Sequence, residues 1–565
     1  MEGALSNSYA TGNVSVIVEL DAMRAGDYPE STDIGGLVGE HDGDATVTDS
    51  YATGNVSVRT EGTCDTCNYE VYRVGGFYGD RDEGGGDARV FASGDVSIDL
   101  GLEDSSSVSD VGGFAGQFDG DTTIVTAYAS GNISIESIGD LYANDIGGFV
   151  GDSGEYMSYA SVYASGDVEV ENGIRVGGFA GMTGNGTQIV DSFATGFVST
   201  VIRLLENDVS AGGFIGNAGA ILELTRSFST GTVTVENGDD ENDWDQFVGG
   251  LIGVVSDDDA LRITDSYTRS AISYTTSCGD GESYVGGLFG FTGTSTVFAN
   301  RVYVANSVTV DSNGDCAEDD TEIISIDAVL NGSFSSVTGN NFFDSTLLAG
   351  LSNKADFVAK AMSDMKTVST FTNAGWSFEG SNSVWQQSST ENAGYPYLRS
   401  REREYGTTAV TTTTTTTPPV TTTTTTPPVV IVTIIQPAET STPTTSTTTT
   451  TMPATTTQNN DVKSCVTQAS ARISFPDADS RISESASASI VSFVERVKRS
   501  GCLRVQLTAT YSENLALAVT RNRVMAAALR SEFWRQKHVV RMVFETIKVP
   551  RTSRSLRTVM ISAQK

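Results

Sequence analysis

The chain has 565 residues, which is more than one hydrophobic core can organise, so several modules are expected. Its net charge is −36, with the acidic residues concentrated in residues 1–400 and a basic excess in residues 401–565. This acidity disfavours nucleic acid as a partner, and the presence of only two histidines, His41 and His538, disfavours most zinc and general-base chemistry.

The first element in chain order is a phrase that recurs along the N-terminal region. Ser8-Tyr9-Ala10-Thr11-Gly12-Asn13-Val14-Ser15-Val16 returns almost unchanged at residues 50–58. Because the phrase is under way a few residues after Met1, we expect an export signal and further repeats to be missing upstream. The aromatic residue of the phrase recurs every 30 to 42 residues, at Tyr51, Phe91, Tyr128, Tyr163, Phe193, Phe228, Tyr267 and Tyr303.

A second phrase alternates with the first and reads apolar-Gly-Gly-Leu/Phe-apolar-Gly. Self-similarity at a fixed period indicates a stacked array, and alternating β-branched residues such as Val56 and Val58 indicate strands. The pattern predicts a mainly β fold, a parallel β-helix (β-solenoid) of about nine turns over residues 1–340. The second phrase starts at Ile34, Val74, Val111, Ile146, Val176, Ala211, Val248 and Val285.

The repeats contain two kinds of glycine, for which we predict different structural roles. The glycine of the first phrase, for example Gly54 or Gly131, is predicted to take a positive φ at a corner. The paired glycines, such as Gly112 and Gly113, are predicted to allow close backbone approach between turns.

The repeats offer weak candidates for a ligand site. Acidic turns suggest calcium as an alternative to solvated surface turns, with Asp42, Asp44, Asp119 and Asp121 as candidates. No catalytic residue stands out, because each repeat resembles the next and no turn carries a distinctive carboxylate pair with a base beside it. The sequence therefore predicts no enzyme and no cofactor, and keeps a polysaccharide lyase or hydrolase as the alternative.

The phrases resemble the GLUG-repeat family of bacterial surface and adhesin-type proteins. The resembling residues are Gly36-Leu37-Val38-Gly39 and Gly250-Leu251-Ile252-Gly253, with Phe replacing Leu in five of eight copies. Residues 341–400, with Ala374-Gly375-Trp376 and Gly394-Tyr395-Pro396-Tyr397-Leu398, look like the closing segment that often follows such repeats. The resemblance implies a β-helix at the cell surface and names no ligand.

Two further regions follow. Residues 401–460 are rich in Thr and Pro and are predicted to be a disordered linker, interrupted by the apolar run from Val429 to Ile435. Residues 461–565 alternate predicted strands and helices in the order βαβαββ. The strands are predicted at 472–475, 503–510, 539–547 and 556–562, and the helices at about 483–500 and 514–535.

This last region resembles the OmpA-like peptidoglycan-binding domain. The family's helix motif aligns with Asn514, Leu517 and Arg521. The resemblance implies that Arg521 grips a carboxylate of peptidoglycan. Where the family has an Asp, this chain has Thr510-Tyr511, and Glu513 is the candidate substitute. The alternative is a structural domain with Arg521 on a solvated helix face.

The six cysteines form three neighbouring pairs in the sequence. An even count in an exported protein suggests disulfides, although spacing does not give the connectivity. The first pair could instead bind metal. The disulfide candidates are Cys64, Cys67, Cys278, Cys316, Cys465 and Cys502.

The combined prediction is a non-enzymatic extracellular or cell-surface protein. An adhesin-like solenoid, with an unknown surface or glycan ligand, is displayed on a Thr/Pro stalk. The C-terminal domain binds peptidoglycan or another wall polymer without a covalent link. No apolar run is long enough for a transmembrane helix. A structural spacer without a specific ligand is the third alternative.

Overall fold

The computed structural model describes most of residues 3–399 and five further strands. The described ranges are 3–20, 30–62, 69–82, 84–100, 106–137, 141–203, 207–238, 244–256, 260–276, 281–293, 295–312, 323–331, 336–337, 340–353, 357–380, 383–399, 430–433, 470–474, 504–511, 541–548 and 558–564. The chain divides into two compact units, Met1–Thr440 and Ser441–Lys565. The boundary lies inside the predicted linker.

The first unit is a parallel β-solenoid, as the repeats predict. Each turn visits four sheets in a fixed order, and each strand pairs in parallel with its equivalents on the neighbouring turns. The solenoid has about seven regular turns. This is fewer than the nine expected, because the first and last copies contribute short strands such as Leu5–Ser6 and Leu330–Asn331.

The first sheet carries the aromatic residue of the first phrase. Its strands are Leu5–Ser6, Tyr9–Ala10, Val47–Ala52, Gly85–Ala92, Thr122–Ala129, Ser158–Ala164, Gln188–Val190, Phe193–Ala194, Leu222–Thr225, Phe228–Ser229, Ala260–Thr268, Thr296–Val304, Ser336–Val337, Phe342–Asp344 and Val358–Lys360.

The second sheet carries the alternating valines, and Val56 and Val58 are buried as their alternation predicts. Its strands are Val14–Glu19, Val56–Glu61, Val96–Leu100, Ile133–Ser137, Val168–Glu171, Val198–Ile202, Val233–Asn237, Ile272–Thr276, Val308–Ser312 and Val430–Thr433. The last of these comes from the predicted linker and pairs in parallel with the first, Val14 opposite Val430. A β-branched run next to an open sheet edge accounts for this departure from the expected disorder.

The third and fourth sheets flank the Gly-Gly phrase. The third contains Glu30–Ser31, Ile34–Gly35, Glu70–Gly75, Ser106–Gly112, Leu141–Gly147, Arg175–Gly177, Val209–Gly212, Gln246–Gly249, Glu282–Gly286 and Ile323–Asp327. The fourth contains Val38–His41, Tyr78–Arg81, Ala115–Phe118, Val150–Ser153, Ala180–Thr183, Ile215–Ala218, Ile252–Val255, Phe289–Phe291 and Leu330–Asn331.

The core is a set of columns in which one residue type repeats along the rod. The Leu or Phe of the second phrase lies inside, where Phe114 stacks on Phe149 with ring centroids 4.8 Å apart. The aromatic residue of the first phrase forms an outer column, in which neighbouring rings stack at 4.7 to 5.3 Å with interplanar angles of 10° or less. This outer aromatic column contains Tyr9, Tyr51, Phe91, Tyr128, Tyr163, Phe193, Phe228, Tyr267 and Tyr303.

In several turns, a buried serine hydroxyl satisfies the backbone beside a first-sheet residue with positive φ. Residues such as Asp191 and Arg226, two positions before the aromatic residue, have φ near 50°. Ser227 directly follows Arg226. Its Oγ accepts a hydrogen bond from the N–H of Ser192 on the previous turn and donates one to the carbonyl of Thr225. The recurring Ser before the aromatic residue therefore has a structural role.

The glycines of the first phrase do not have the positive φ that was predicted for them. Gly54, Gly94 and Gly131 are absent from the described residues with positive φ. A Cβ on Gly131 would instead overlap the carbonyl oxygen of Gly94, so the corner requires glycine for close stacking. The paired glycines are confirmed in their role, because a Cβ on Gly113 would overlap the Gly148 carbonyl.

The closing segment packs against the last turns of the outer aromatic column. It contains two short helices, Met362–Met365 and Val368–Thr372, a 3₁₀ turn at Asn392–Gly394, and an antiparallel pair, Trp385–Gln386 with Tyr397–Leu398. Tyr303 donates a hydrogen bond to the Pro396 carbonyl at 2.6 Å. The aromatic residues of this segment, Trp376, Tyr395 and Tyr397, are buried and belong to the core.

The described residues of the second unit form a four-stranded sheet. Its order is Ser470–Ser474, Thr558–Gln564, Arg504–Tyr511 and Arg541–Lys548, with only the last pair parallel. The strands lie close to their predicted positions. Both predicted helices lie outside the described residues, so the OmpA-like resemblance stays a prediction.

Candidate functional site

Several predicted site residues lie outside the described part of the chain. These are the peptidoglycan candidates Glu513, Asn514 and Arg521, and the six cysteines, Cys64, Cys67, Cys278, Cys316, Cys465 and Cys502. The wall-binding and disulfide hypotheses therefore remain predictions.

The calcium candidates are described, and the structure separates them. Asp42 is half-buried, whereas Asp44, Asp119 and Asp121 are exposed. Carboxylate oxygens of Glu40, Asp42 and Asp82 lie within 4.8 Å of one another, and we call these three residues the acidic triad. Of the four candidates, only Asp42 belongs to it.

A buried arginine fixes the loops that carry the acidic triad. The Arg81 side chain is fully buried, and its guanidinium donates to the carbonyls of Gly43, Ala45, Asp82 and Gly84 at 2.7 to 3.0 Å. Its Nε lies 3.7 Å from Oδ2 of the buried Asp87. The hydrogen bonds of this guanidinium hold the turn after Asp42 against the turn after Asp82.

Neighbouring negative charges raise the pKa values of two residues of the acidic triad. The charge of Asp42 raises the pKa of Glu40, and burial together with the charges of Asp119 and Asp42 raises the pKa of Asp82. Three clustered carboxylates offer the oxygen ligands that Ca²⁺ prefers. The same carboxylates are equally consistent with a solvated acidic turn.

A second titratable group lies at the corner between the third and fourth sheets. Asp33, Arg73, Asp110 and Asp145 are equivalent residues on four successive turns, each with φ between 55° and 58°. Each lies over a glycine of the fourth sheet. A Cβ on Gly79, for example, would overlap the Asp33 backbone, and one on Gly116 the Arg73 backbone. The absence of a side chain at these glycines lets the two sheets meet closely.

Side chains from both sheets interact above these glycines. Arg73 Nε lies 2.6 Å from Asp33 Oδ1, and its Nη1 lies 3.4 Å from Asp80 Oδ2. One end of the corner is therefore held by an arginine between two carboxylates.

At the other end of the corner, three turns from the Arg73–Asp33 pair, a second arginine pairs with an aspartate. Arg175 Nε lies 2.7 Å from Asp145 Oδ1, and Nη2 donates to Asp145 Oδ2 at 2.7 Å. Arg175 Nε also donates to Asn144 Oδ1 at 3.1 Å, so hydrogen bonds to two neighbouring side chains fix the guanidinium plane. We call the whole set the corner cluster, which contains Asp33, Arg73, Asp80, Asp110, Asp145, Asp152 and Arg175.

Burial shifts the carboxylates of the corner cluster towards their protonated forms. It raises the pKa of Asp110 to about 8, of Asp80 to about 7 and of Asp152 to about 6. For Asp110 the charges of Asp145 and Asp152 add to this effect, and those of Arg73 and Arg175 oppose it. Carboxyl groups that titrate near neutrality beside arginines can donate or accept protons, or hydrogen-bond a polyhydroxylated ligand.

The corner cluster, and the grouping of Asp42 with Glu40 and Asp82, were not predicted, because both depend on contacts between turns. The members of the corner cluster come from repeats 30 to 40 residues apart, and only the register of the turns brings them together. One signal was available: Asp33, Arg73, Asp110, Asp145 and Arg175 each immediately precede the second phrase.

Comparison with known proteins supports one part of the resemblance. Residues 30–57 match the family model described as the GLUG motif. This stretch runs from the third-sheet strand Glu30–Ser31 through the Gly-Gly corner into the second-sheet strand Val56–Glu61. No curated protein and no solved structure gives a significant match to the chain.

The GLUG match and the β-solenoid fit a surface repeat protein in broad terms. Among the described residues, no helix combines the length and the apolar character needed to cross a membrane.

Proposed function

We propose that this chain is a non-enzymatic, adhesin-like surface protein whose solenoid binds a polymeric ligand along its outer face. The observation that carries the proposal is the in-register stacking of the outer columns. Successive turns present the same kind of side chain about 4.8 Å apart. Repetition of one weak contact along a rod provides avidity for a ligand that is itself repetitive.

Attachment of particles to a surface tests the adhesin proposal. Beads carrying the full chain should adhere to host-cell or extracellular-matrix surfaces more strongly than beads carrying an acidic protein of similar charge. Equal adhesion of both kinds of bead would reject the proposal and leave the spacer alternative.

The proposal includes an anchor in residues 461–565, which we expect to bind peptidoglycan through Arg521, Asn514 and Glu513. The support is the aligned helix motif and the basic excess of this region, which suits an anionic wall polymer. The full chain should sediment with purified peptidoglycan, and Arg521→Ala should reduce the bound fraction. Arg530→Ala, in the same predicted helix but outside the aligned motif, is the matched control. Equal binding by both variants would remove Arg521 from the anchor.

The corner cluster favours a second candidate, a polysaccharide lyase or hydrolase. Asp110, with a pKa near 8, could act as a general acid, and Arg73 and Arg175 could hold an acidic sugar. Incubation of the full chain with neutral and acidic polysaccharides, followed by detection of new reducing ends and unsaturated products, distinguishes the candidates. Turnover that disappears in Asp110→Asn would establish the enzyme and reject the non-enzymatic proposal.

A further inference from the structure

The outer aromatic column is divided into a covered and an open part. Rings of the closing segment pack on Tyr267 and Tyr303, and the buried rings from Phe193 to Tyr303 belong to the same apolar cluster as that segment. Tyr303 is fully buried. At the other end Tyr9 is 64% exposed, and Tyr51, Phe91 and Tyr128 are half-buried. We call these four residues the open column.

The open column presents ring edges rather than ring faces. Tyr51 and Phe91 stack with an interplanar angle of 5° and centroids 4.9 Å apart, and Phe91 and Tyr128 at 5° and 4.7 Å. Because neighbouring rings cover both faces of Tyr51 and Phe91, a sugar cannot stack flat on them. An aromatic edge carries partial positive charge and attracts oxygen atoms, and a tyrosine adds a hydroxyl that donates and accepts.

The residues beside the open column are hydroxylic or charge-paired. Two positions after each ring lies a Ser or Thr: Thr11, Thr53, Ser93 and Ser130. On the other side, Arg89 donates to both carboxylate oxygens of Asp49 at 2.5 and 2.7 Å. The opposite charges of Arg89 and Asp49 cancel. The surface beside the open column therefore carries little net charge, although the solenoid as a whole is strongly acidic.

The covered part shows which groups such a ring edge binds. The hydroxyl of Tyr303 donates to the Pro396 carbonyl and accepts from the Asn392 amide at 2.9 Å, while Trp376 and Trp385 pack nearby at tilted angles. The buried Tyr303 thus contacts one hydrogen-bond acceptor, one hydrogen-bond donor and apolar surface. An uncharged sugar residue offers all three on one face.

We propose that the open column binds a linear, uncharged polysaccharide that lies along the solenoid axis. Regular ring spacing lets each sugar of a repeating polymer make the same contact, which favours a glycan over a protein without such periodicity. The net charge of −36 opposes an anionic polymer and also a second copy of this chain. This inference rests on the proposed adhesin function and names its ligand class and binding surface.

Affinity measurements on the full chain test this inference. The probes are a soluble linear β-glucan, a linear mannan and, as the anionic comparison, polygalacturonate. The variants are Tyr51→Ala with Tyr128→Ala and, as the matched control, Tyr156→Ala with Trp244→Ala, two exposed aromatic residues outside the column. Circular dichroism with thermal unfolding establishes that each variant is folded.

We expect wild type to bind at least one neutral probe, and the column variant to lose about tenfold or more in affinity while the control keeps it. Tyr51→Phe with Tyr128→Phe, which keeps the stacking, should lose an intermediate amount because only the hydroxyls are removed. If the column variant does not fold, this Phe variant decides the test alone.

Unchanged affinity of the column variant, equal loss in the control, or binding to polygalacturonate alone would overturn the inference. Absence of binding to all three probes would also overturn it. Self-association of wild type that the column variant abolishes would place a second copy there instead. Bead adhesion that survives in the column variant would leave the adhesin proposal standing while this inference fails.

Discussion

The indole N–H of Trp385 donates a hydrogen bond to Asp265 Oδ1 at 3.1 Å, across 120 residues of sequence. Asp265 is also held by Arg301, whose Nε lies 2.5 Å from the same oxygen. One carboxylate therefore joins two solenoid turns to the closing segment.

Removal of the Trp385 ring should release the closing segment. Trp385→Ala deletes a fully buried side chain and is expected to destabilise this segment by about 3–5 kcal/mol. Limited proteolysis should then cut within residues 362–398 before the solenoid is cut. The control Trp244→Ala, at a partly exposed ring, should leave the cleavage pattern unchanged, and early cleavage within the solenoid in Trp385→Ala would contradict this assignment.

The stacked glycines predict a sharp difference between two glycine substitutions. Gly131→Ala would force the turns apart at the Gly94 carbonyl, at a cost of about 3 kcal/mol. A Cβ on Gly86 would meet only the Thr123 carbonyl at 3.6 Å, so Gly86→Ala should change stability by less than about 0.5 kcal/mol. Thermal unfolding followed by circular dichroism measures both. Equal unfolding midpoints of the two variants would show that the glycines of the first phrase are not required for stacking.

The corner cluster predicts that stability falls as pH rises through neutrality. The pKa of Asp110 is about 8 in the folded chain, above its ordinary value of 3.8, so the folded state binds more protons between these values. Stability contributed by the protonated group is complete below the ordinary pKa and is lost as pH rises through the folded pKa. Asp80 and Asp152 act in the same direction.

Substitution of Asp110 by a neutral isostere tests this pH dependence. The midpoint of thermal unfolding should decline from pH 5 to pH 9 in wild type, and Asp110→Asn should decline less and unfold at a higher temperature at pH 9. Asp121→Asn, at an exposed carboxylate, is the control. A wild-type midpoint that rises over this interval would contradict the burial of these carboxylates.

The acidic triad predicts a stabilising effect of divalent cations. Millimolar Ca²⁺ should raise the unfolding midpoint of wild type by neutralising Glu40, Asp42 and Asp82, and a chelator should reverse the effect. Asp82→Asn should remove most of the increase, whereas Asp44→Asn, at an exposed carboxylate outside the triad, should keep it. An equal response in the two variants would indicate nonspecific screening of the acidic surface.

The sequence predicted the parallel array because period and alternation are local signals. The strands around Val56 and Val96, and the close approach at Gly113, follow directly from them. The predicted positive φ at Gly131 was wrong, because close stacking and positive φ both select glycine and the sequence does not distinguish them. The corner cluster was not predicted, because contact between Arg175 and Asp145 depends on register between turns.

Successive repeats stack in register as one rod, and the outer aromatic column and the corner cluster both depend on this stacking. Ala88 and Asn300 are six rungs apart in one continuous column of the first sheet, which corresponds to about 29 Å at ~4.8 Å per rung. Spin labels introduced at these two positions as noncanonical amino acids allow a direct distance measurement in the full chain. We predict a single narrow distance distribution centred near this value. A broad distribution, or a mean distance far longer than this, would contradict the solenoid.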